Sequence, residues 1–189
     1  TPISIYLLRM TRNNGYKRFR TRHQPERISL MRNIPETQPA GTAATAPHPA
    51  AETAYLDALP FAPRLLVWAA RAWWSDRGND EGSRRLISQA FTLARCPGAD
   101  AAFDELMLMA LHGACRHLDF ASHPRRVAVD ELALLRVIAA FQEEAVAGGE
   151  AALDTWLPPA TARLACDAAL TLARQMGRAG LYVHQHTRQ

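Results

Sequence analysis

Residues 62–75 read APRLLVWAARAWWS, and the spacing of their apolar side chains decides the fold class. At 100° per residue, Arg64, Arg71 and Ser75 fall on one narrow stripe, and leucine, valine, alanine and tryptophan cover the rest of the helix surface. Amphipathic patterns with a period of 3.6 continue from residue 51 to 182, and no alternating strand pattern interrupts them. The sequence therefore predicts an all-α domain, a compact bundle of five to six mostly antiparallel helices with short connections.

Capping residues, prolines and glycines set the ends of the predicted helices. Ser83 and Asp100 are expected to cap two helices, and Gly148–Gly149 to end a third. In the last helix, Leu164 is expected on the inward face. Alanine and leucine form most of the expected core, because aromatic residues make up only 7% of the chain. The main predicted helices cover about residues 62–75, 83–95, 100–120, 130–146 and 160–178, with shorter ones over about 51–59 and 151–157.

Charge separates the beginning of the chain from its body. Residues 1–30 contain seven basic residues and one acidic residue, which leaves 15 basic and 17 acidic residues in the rest of the chain. The net charge of +4 therefore comes from these first residues, and the body has no broad basic surface for DNA. Residues 33–50, with four prolines, are predicted to be a linker. We expect a disordered segment over 1–50, one helical domain over 51–183 and a tail over 184–189.

Composition also distinguishes residues 1–30, which contain Lys17, the only lysine of the chain. One interpretation is translated upstream sequence, with the biological start at Met31. A basic arm for nucleic acid or anionic lipid, and a mitochondrial-type targeting peptide, are the alternatives. A secretory signal is disfavoured, because the apolar stretch 3–8 is short and precedes the charges.

Three cysteines, Cys96, Cys115 and Cys166, are widely spaced and form no Cys-x-x-Cys pair. An odd number without a secretory signal favours free thiols in a reducing cytoplasm, so a cytoplasmic protein is expected. Small buried hydrophobic residues are the simplest interpretation of all three. The preference for arginine over lysine and the high alanine content are typical of a GC-rich bacterial genome.

Three side chains with metal-binding chemistry recur at helical spacing. His112, Cys115 and Asp119 are at i, i+3 and i+7, which places them on one stripe if the helix continues to about residue 120. Imidazole, thiolate and carboxylate are ligands for zinc or another late transition metal, and haem is a further possibility. His123 or Cys96 could complete such a site. A Cys–His nucleophile and a partly buried polar edge are the other interpretations.

Other polar motifs have simpler explanations. Asp130–Glu131 and Glu143–Glu144 are acidic pairs, but no Glu-x-x-His pattern supports a di-iron site, so helix-start and surface charges are expected. Arg125–Arg126 precedes a helix that is poorly equipped to read DNA. His184 and His186 are expected in a frayed terminus. Phosphate-binding, dinucleotide-binding, nucleophile-elbow and zinc-protease motifs do not occur in the sequence.

Because the helix over 62–75 is apolar on nearly all sides, we expect it to be buried or to face a partner. An interfacial membrane helix is the alternative, which the tryptophan pair and the flanking arginines favour. Trp68, Trp73 and Trp74 are therefore the candidate interface residues, and the apolar stretch is too short for a transmembrane segment. The leading hypothesis is a non-enzymatic domain without a cofactor that acts by protein–protein contact, as a homodimer or adaptor. The alternatives are a metal- or haem-binding regulator using His112 and Cys115, and a nucleic-acid-associated regulator using the basic N-terminal arm.

Overall fold

A computed structural model of the chain describes residues 54–120 and 123–184, all within the second of the two units into which the chain divides, Glu52–Gln189. Six α-helices and one 3₁₀ turn make up the regular structure of these residues, which contain no β-strand. The predicted all-α bundle is confirmed. The predicted leader, its linker and the end of the tail, including His186, lie outside the described residues.

The elements follow one another with connections of a few residues, apart from one long loop between the third and fourth helices. In chain order they are the 3₁₀ turn Leu56–Ala58, α1 Phe61–Asp76, α2 Glu81–Leu93, α3 Ala99–Gly113, α4 Val129–Gln142, α5 Val146–Leu153 and α6 Pro159–Arg178.

The cap of α2 lies three residues earlier than the sequence predicts. Asp80, rather than Ser83, is the N-cap, and its carboxylate accepts hydrogen bonds from the backbone N–H of Ser83 at 3.0 Å and of Gly82 at 3.3 Å. These bonds stabilise the ionised carboxylate and hold the pKa of Asp80 below its ordinary value, with the bond from Ser83 the larger cause. Asp100 also lies inside α3, whose N-cap is Gly98.

The third helix ends at Gly113, not near residue 120. The chain turns into an extended conformation at Ala114, and the next amide, that of Cys115, donates to the carbonyl of Trp156 at 2.9 Å. Gly113 lies against α6, where an added Cβ would come within 2.6 Å of Thr161 Cγ2. Leu118 is buried, as predicted, but it reaches the core from a loop. The apolar periodicity that includes Leu118 therefore does not indicate that the helix continues.

The helix predicted over 130–146 corresponds to α4, which ends earlier, at Gln142, and Glu144 at a φ of 59° lies between α4 and α5. Gly148–Gly149 lies inside α5 instead of ending a helix, and an added Cβ at Gly149 would come within 2.6 Å of the Phe141 ring. The short helix predicted over 151–157 is thus α5, displaced toward the N-terminus. At the start of the domain, the described part of the segment predicted as a helix over 51–59 contains only the 3₁₀ turn.

The core lies between α6 and the three helices that it packs against, α3, α4 and α5, while α1 contacts α2 and α4. Its largest fully buried side chains include Trp73, Trp156, Phe91 and Phe103. The predicted inward face of α6 is largely confirmed, but Leu164 is 65% exposed. Among the described residues, no helix combines the length and the apolar character needed to cross a bilayer.

Candidate functional site

Two charged residues are buried in the described part of the chain, Asp130 and Glu131, with exposed fractions of 1% and 0%. They occupy the first turn of α4, where negative charge interacts favourably with the helix dipole. Removing a carboxylate from water costs several kcal/mol unless a cation and hydrogen bonds compensate it. Each carboxylate is in contact with an arginine from another part of the chain.

The first pair joins α4 to α1. Arg71 holds Glu131 with two hydrogen bonds, from Nε to Oε1 at 2.7 Å and from Nη2 to Oε2 at 2.9 Å. The same guanidinium donates to the carbonyl oxygens of Pro124 at 3.1 Å and Arg126 at 2.7 Å. Glu131 also accepts from the backbone N–H of Ala128 at 2.8 Å. One buried ion pair thus fixes α1, α4 and the chain that enters α4.

The second pair joins α4 to the chain that leaves α3. Arg116 donates to both carboxylate oxygens of Asp130, with 3.0 Å between Nη1 and Oδ2. Asp130 Oδ2 also accepts from the backbone N–H of Asp119 at 2.6 Å. The hydrogen bond with Asp130 is the main cause that raises the pKa of the Arg116 guanidinium. This pair is open to solvent on one side, because the Arg116 side chain is 42% exposed.

Residues 114–128 form the α3–α4 loop, and these contacts anchor its two described parts, 114–120 and 123–128. Near its start, the Sγ of Cys115 lies 3.1 Å from the carbonyl oxygen of Trp156. Near its end, the Nδ1 of His123 accepts from the backbone N–H groups of Arg125 and Arg126, both at 3.2 Å. These bonds hold the backbone, while the side chains of His123, Arg125 and Arg126 are exposed.

A short antiparallel bridge connects this loop to the start of the domain. Leu56 N–H donates to the Arg125 carbonyl, and Val127 N–H donates to the Ala54 carbonyl, both at 2.9 Å. Tyr55 and Arg126 between them form a non-hydrogen-bonded pair, the arrangement in which two opposite side chains are closest on one face. Both side chains point away from the core, since Tyr55 is 53% exposed and Arg126 is also exposed.

Val129, 66% exposed, follows three residues after Arg126 as the first residue of α4. Tyr55 and Arg126 lie opposite each other on one face of the bridge, and Arg125 and Val129 are exposed neighbours of Arg126 in the sequence. We call these four exposed side chains the Tyr55–Arg126 surface. It combines an aromatic ring, two guanidinium groups and an aliphatic side chain on a backbone held by buried ion pairs.

The three residues predicted as metal ligands do not share a helix face. His112 is in the last turn of α3, whereas Cys115 and Asp119 are in the α3–α4 loop, and all three are exposed. The predicted stripe is therefore wrong, because α3 ends between His112 and Cys115. In the residues that the structure describes, no three His, Cys, Asp or Glu side chains are arranged to hold a metal ion. Zinc or haem binding here stays a prediction without a geometric basis.

All three cysteines are free thiols in the structure, and they differ in environment. Cys96 is buried, and burial followed by the nearby Asp100 carboxylate raises its pKa. Cys166 is half-buried, and burial is again the main cause that raises its pKa. Both thiols are consequently held in the protonated, less nucleophilic form at neutral pH. Cys115 is exposed, but no described His side chain is hydrogen-bonded to it.

The three candidate interface tryptophans have different positions. Trp73 is 1% exposed, and its Nε1–H donates to Asp104 Oδ1 at 2.7 Å, so it belongs to the core. Trp74 is half-buried, with its ring centroid 4.7 Å from that of Phe120. Trp68 is also half-buried and lies one turn before Arg71 on α1. Only Trp68 and Trp74 retain surface for a partner.

Asp130 and Glu131 lie at the start of a helix, as predicted, but they are buried in ion pairs and are not surface charges. The available signal was Arg71, a cation on a helix that is otherwise almost entirely apolar. Such a position favours a buried counter-ion, but the partner is 60 residues away and has no local signature.

No family model, no curated protein and no solved structure matches this chain. The fold and the site define the class of protein only. It is an all-α domain whose α3–α4 loop is held by two arginine–carboxylate pairs.

Proposed function

We propose that the chain is a non-enzymatic domain that binds another protein, as an adaptor or regulator, through the Tyr55–Arg126 surface. The observation that supports this is the contrast between the buried carboxylates of the site, which are paired, and the exposed side chains above them. The buried carboxylates of Asp130 and Glu131 are occupied by Arg116 and Arg71, so they stabilise the shape of the loop. The side chains left outside are tyrosine, arginine and valine, and tyrosine and arginine are enriched at protein interfaces.

Pre-organisation supports the same proposal. A loop that must become ordered on binding loses part of its binding free energy to conformational entropy. Here the backbone of Arg125 and Arg126 is already held by His123, by Arg71 and by the bridge to Tyr55. The backbone of these two residues therefore loses its conformational entropy during folding and not on binding, which favours recognition of a partner.

The positive charge of the Tyr55–Arg126 surface favours a different protein as the partner over a second copy of this chain. A two-fold symmetric dimer pairs the same surface of both copies. Centred on the Tyr55–Arg126 surface, it would place Arg125 and Arg126 opposite their own copies, and like charges in contact are unfavourable. The homodimer hypothesis therefore has less support than a heterologous complex, and light scattering of the purified chain distinguishes the two.

The test is affinity purification of the full chain from its native cells with two charge-reversal variants. Arg125→Glu combined with Arg126→Glu alters the surface, and Arg163→Glu combined with Arg174→Glu reverses two exposed arginines of α6 as a matched control. We expect the main co-purifying protein to fall at least about tenfold with the first variant, as for the loss of interface hot-spot residues, and to remain with the second. Equal recovery with both variants would contradict the proposal.

A further inference from the structure

We infer that residues 181–183, which follow α6, form a strap that opens and closes over Gln142 while the six helices stay folded. We call these residues the 181–183 strap. The inference concerns a different part of the domain from the Tyr55–Arg126 surface and does not depend on the proposed function. It is supported by the contacts that hold the strap and by the way in which α6 ends.

A single side chain, that of Gln142 at the end of α4, holds the backbone of the strap. Its Oε1 accepts a hydrogen bond from the backbone N–H of Val183 at 2.7 Å, and its Nε2 donates to the carbonyl of Leu181 at 2.8 Å. The same Nε2 donates to the carbonyl of Ala173 in α6 at 3.4 Å. The bond to Ala173 keeps the Gln142 amide in position beside α6 whether or not the strap is in place.

The side chains of the strap alternate between the core and solvent, as they do in an extended strand. Val183 is 3% exposed and Leu181 is half-buried against the core, whereas Tyr182 is 52% exposed. The Tyr182 ring stacks with that of His184, which is also exposed, at 6.2 Å between ring centroids. One buried and one half-buried aliphatic side chain are therefore the apolar contribution to the closed form.

The end of α6 is complete without the contact between the strap and Gln142. Gly180 N–H donates to the Gly177 carbonyl and Leu181 N–H donates to the Met176 carbonyl, both at 2.9 Å. Gly180 has a φ of 72°, so these bonds form the common helix ending that follows a left-handed glycine. Both bonds precede the groups that Gln142 holds, and the strap can consequently leave Gln142 without breaking them.

Opening of the strap replaces few interactions. Among the described residues, its backbone beyond the Leu181 N–H is held by two hydrogen bonds, both to Gln142, and water takes over these bonds in the open form. Segments with few buried contacts open at a lower free energy than the core helices. The open form uncovers the Gln142 amide and the apolar site of Val183, so the strap controls access to both.

The test is residue-resolved thiol labelling of the full chain carrying Val183→Cys, with a water-soluble maleimide and mass spectrometry of the digested protein. The closed strap covers the introduced thiol, and Cys96, which is 3% exposed, is the internal reference for exposure of the core. Each labelling rate is divided by the rate of the same thiol in the urea-unfolded chain, which removes differences in reactivity. Gln142→Leu removes both bonds to the strap, and Gln89→Leu, at an exposed glutamine of α2, is the matched control.

We expect the thiol introduced by Val183→Cys to be labelled at least about tenfold faster than Cys96. Gln142→Leu should raise the rate at position 183 by at least about another tenfold and leave the Cys96 rate unchanged, while Gln89→Leu changes neither. Equal rates at the two thiols, or a Gln142→Leu variant that raises both rates equally or neither, would overturn the inference.

Hydrogen exchange of the unmodified chain gives the same comparison without a substitution in the strap. We expect the Val183 amide to exchange at least about tenfold faster than the amides of Leu172 in α6 and Ile138 in α4, which are fully buried. Exchange as slow as that of Leu172 would show that the strap leaves Gln142 only when the whole domain unfolds. Exchange as fast as in the unfolded chain would show that the strap does not close over Gln142, and either result contradicts the inference.

Discussion

Replacing Arg71 with methionine is expected to lower the free energy of unfolding by about 3–5 kcal/mol, the cost of leaving a buried charge without its partner. Arg71 donates two bonds to Glu131, whose exposed fraction is 0%, and two more to carbonyl oxygens of the α3–α4 loop. Methionine replaces much of the volume but none of these bonds. Because domains are commonly stable by about 5–15 kcal/mol, this loss is a large part of the total.

Urea denaturation followed by circular dichroism measures this change. Arg64→Met is the matched control, since Arg64 is half-buried on the same helix and its side chain forms no described hydrogen bond. The double variant Arg71→Met with Glu131→Met removes both charges and should recover at least about half of the loss. Equal stability of Arg71→Met and Arg64→Met would mean that the buried pair does not hold the loop.

Replacing Trp73 with alanine is expected to cost about 3–5 kcal/mol, as for other large aromatic residues removed from a core. The Trp73 side chain, on α1, is 1% exposed, and its Nε1–H donates to Asp104 of α3. It also packs against the backbone of Gly78, where an added Cβ would come within 2.6 Å of the ring.

Thermal and urea denaturation of three variants distinguish packing from hydrogen bonding at Trp73. Trp73→Phe keeps most of the apolar contact and loses the bond to Asp104, so it should lie between Trp73→Ala and the unmodified chain. Trp68→Ala, at a half-buried position of the same helix, should cost about 1 kcal/mol. A cost for Trp68→Ala equal to that of Trp73→Ala would show that the two residues are wrongly assigned to surface and core.

Helical periodicity predicts which segments are helices, but it does not locate where they end. The segments that became α1 and α6 were predicted within about two residues, because prolines mark both beginnings. The end of α3 was missed because Leu118 continues the apolar pattern, while the contact between Gly113 and Thr161 depends on how α3 and α6 pack. Helix ends that depend on tertiary contact leave no local signal.

The site illustrates the same division between local and distant information. Asp130 and Glu131 were correctly placed in the first turn of a helix from their preference for that position. Their burial and their pairing with Arg71 and Arg116 follow from contacts between residues as many as 60 positions apart. The predicted stripe of His112, Cys115 and Asp119 is wrong because it extends helical periodicity to about residue 120, whereas α3 ends at Gly113.

The proposed function depends on the α3–α4 loop being a fixed surface, and hydrogen exchange of individual amides tests this most directly. The amides of Cys115 and Val127 donate to the carbonyls of Trp156 and Ala54, and those of Asp119 and Ala128 donate to the buried carboxylates of Asp130 and Glu131. We expect these four amides to exchange as slowly as those inside α4, and to lose this protection in Arg71→Met. Exchange as fast as that of unbonded amides in the unmodified chain would contradict a pre-organised binding surface.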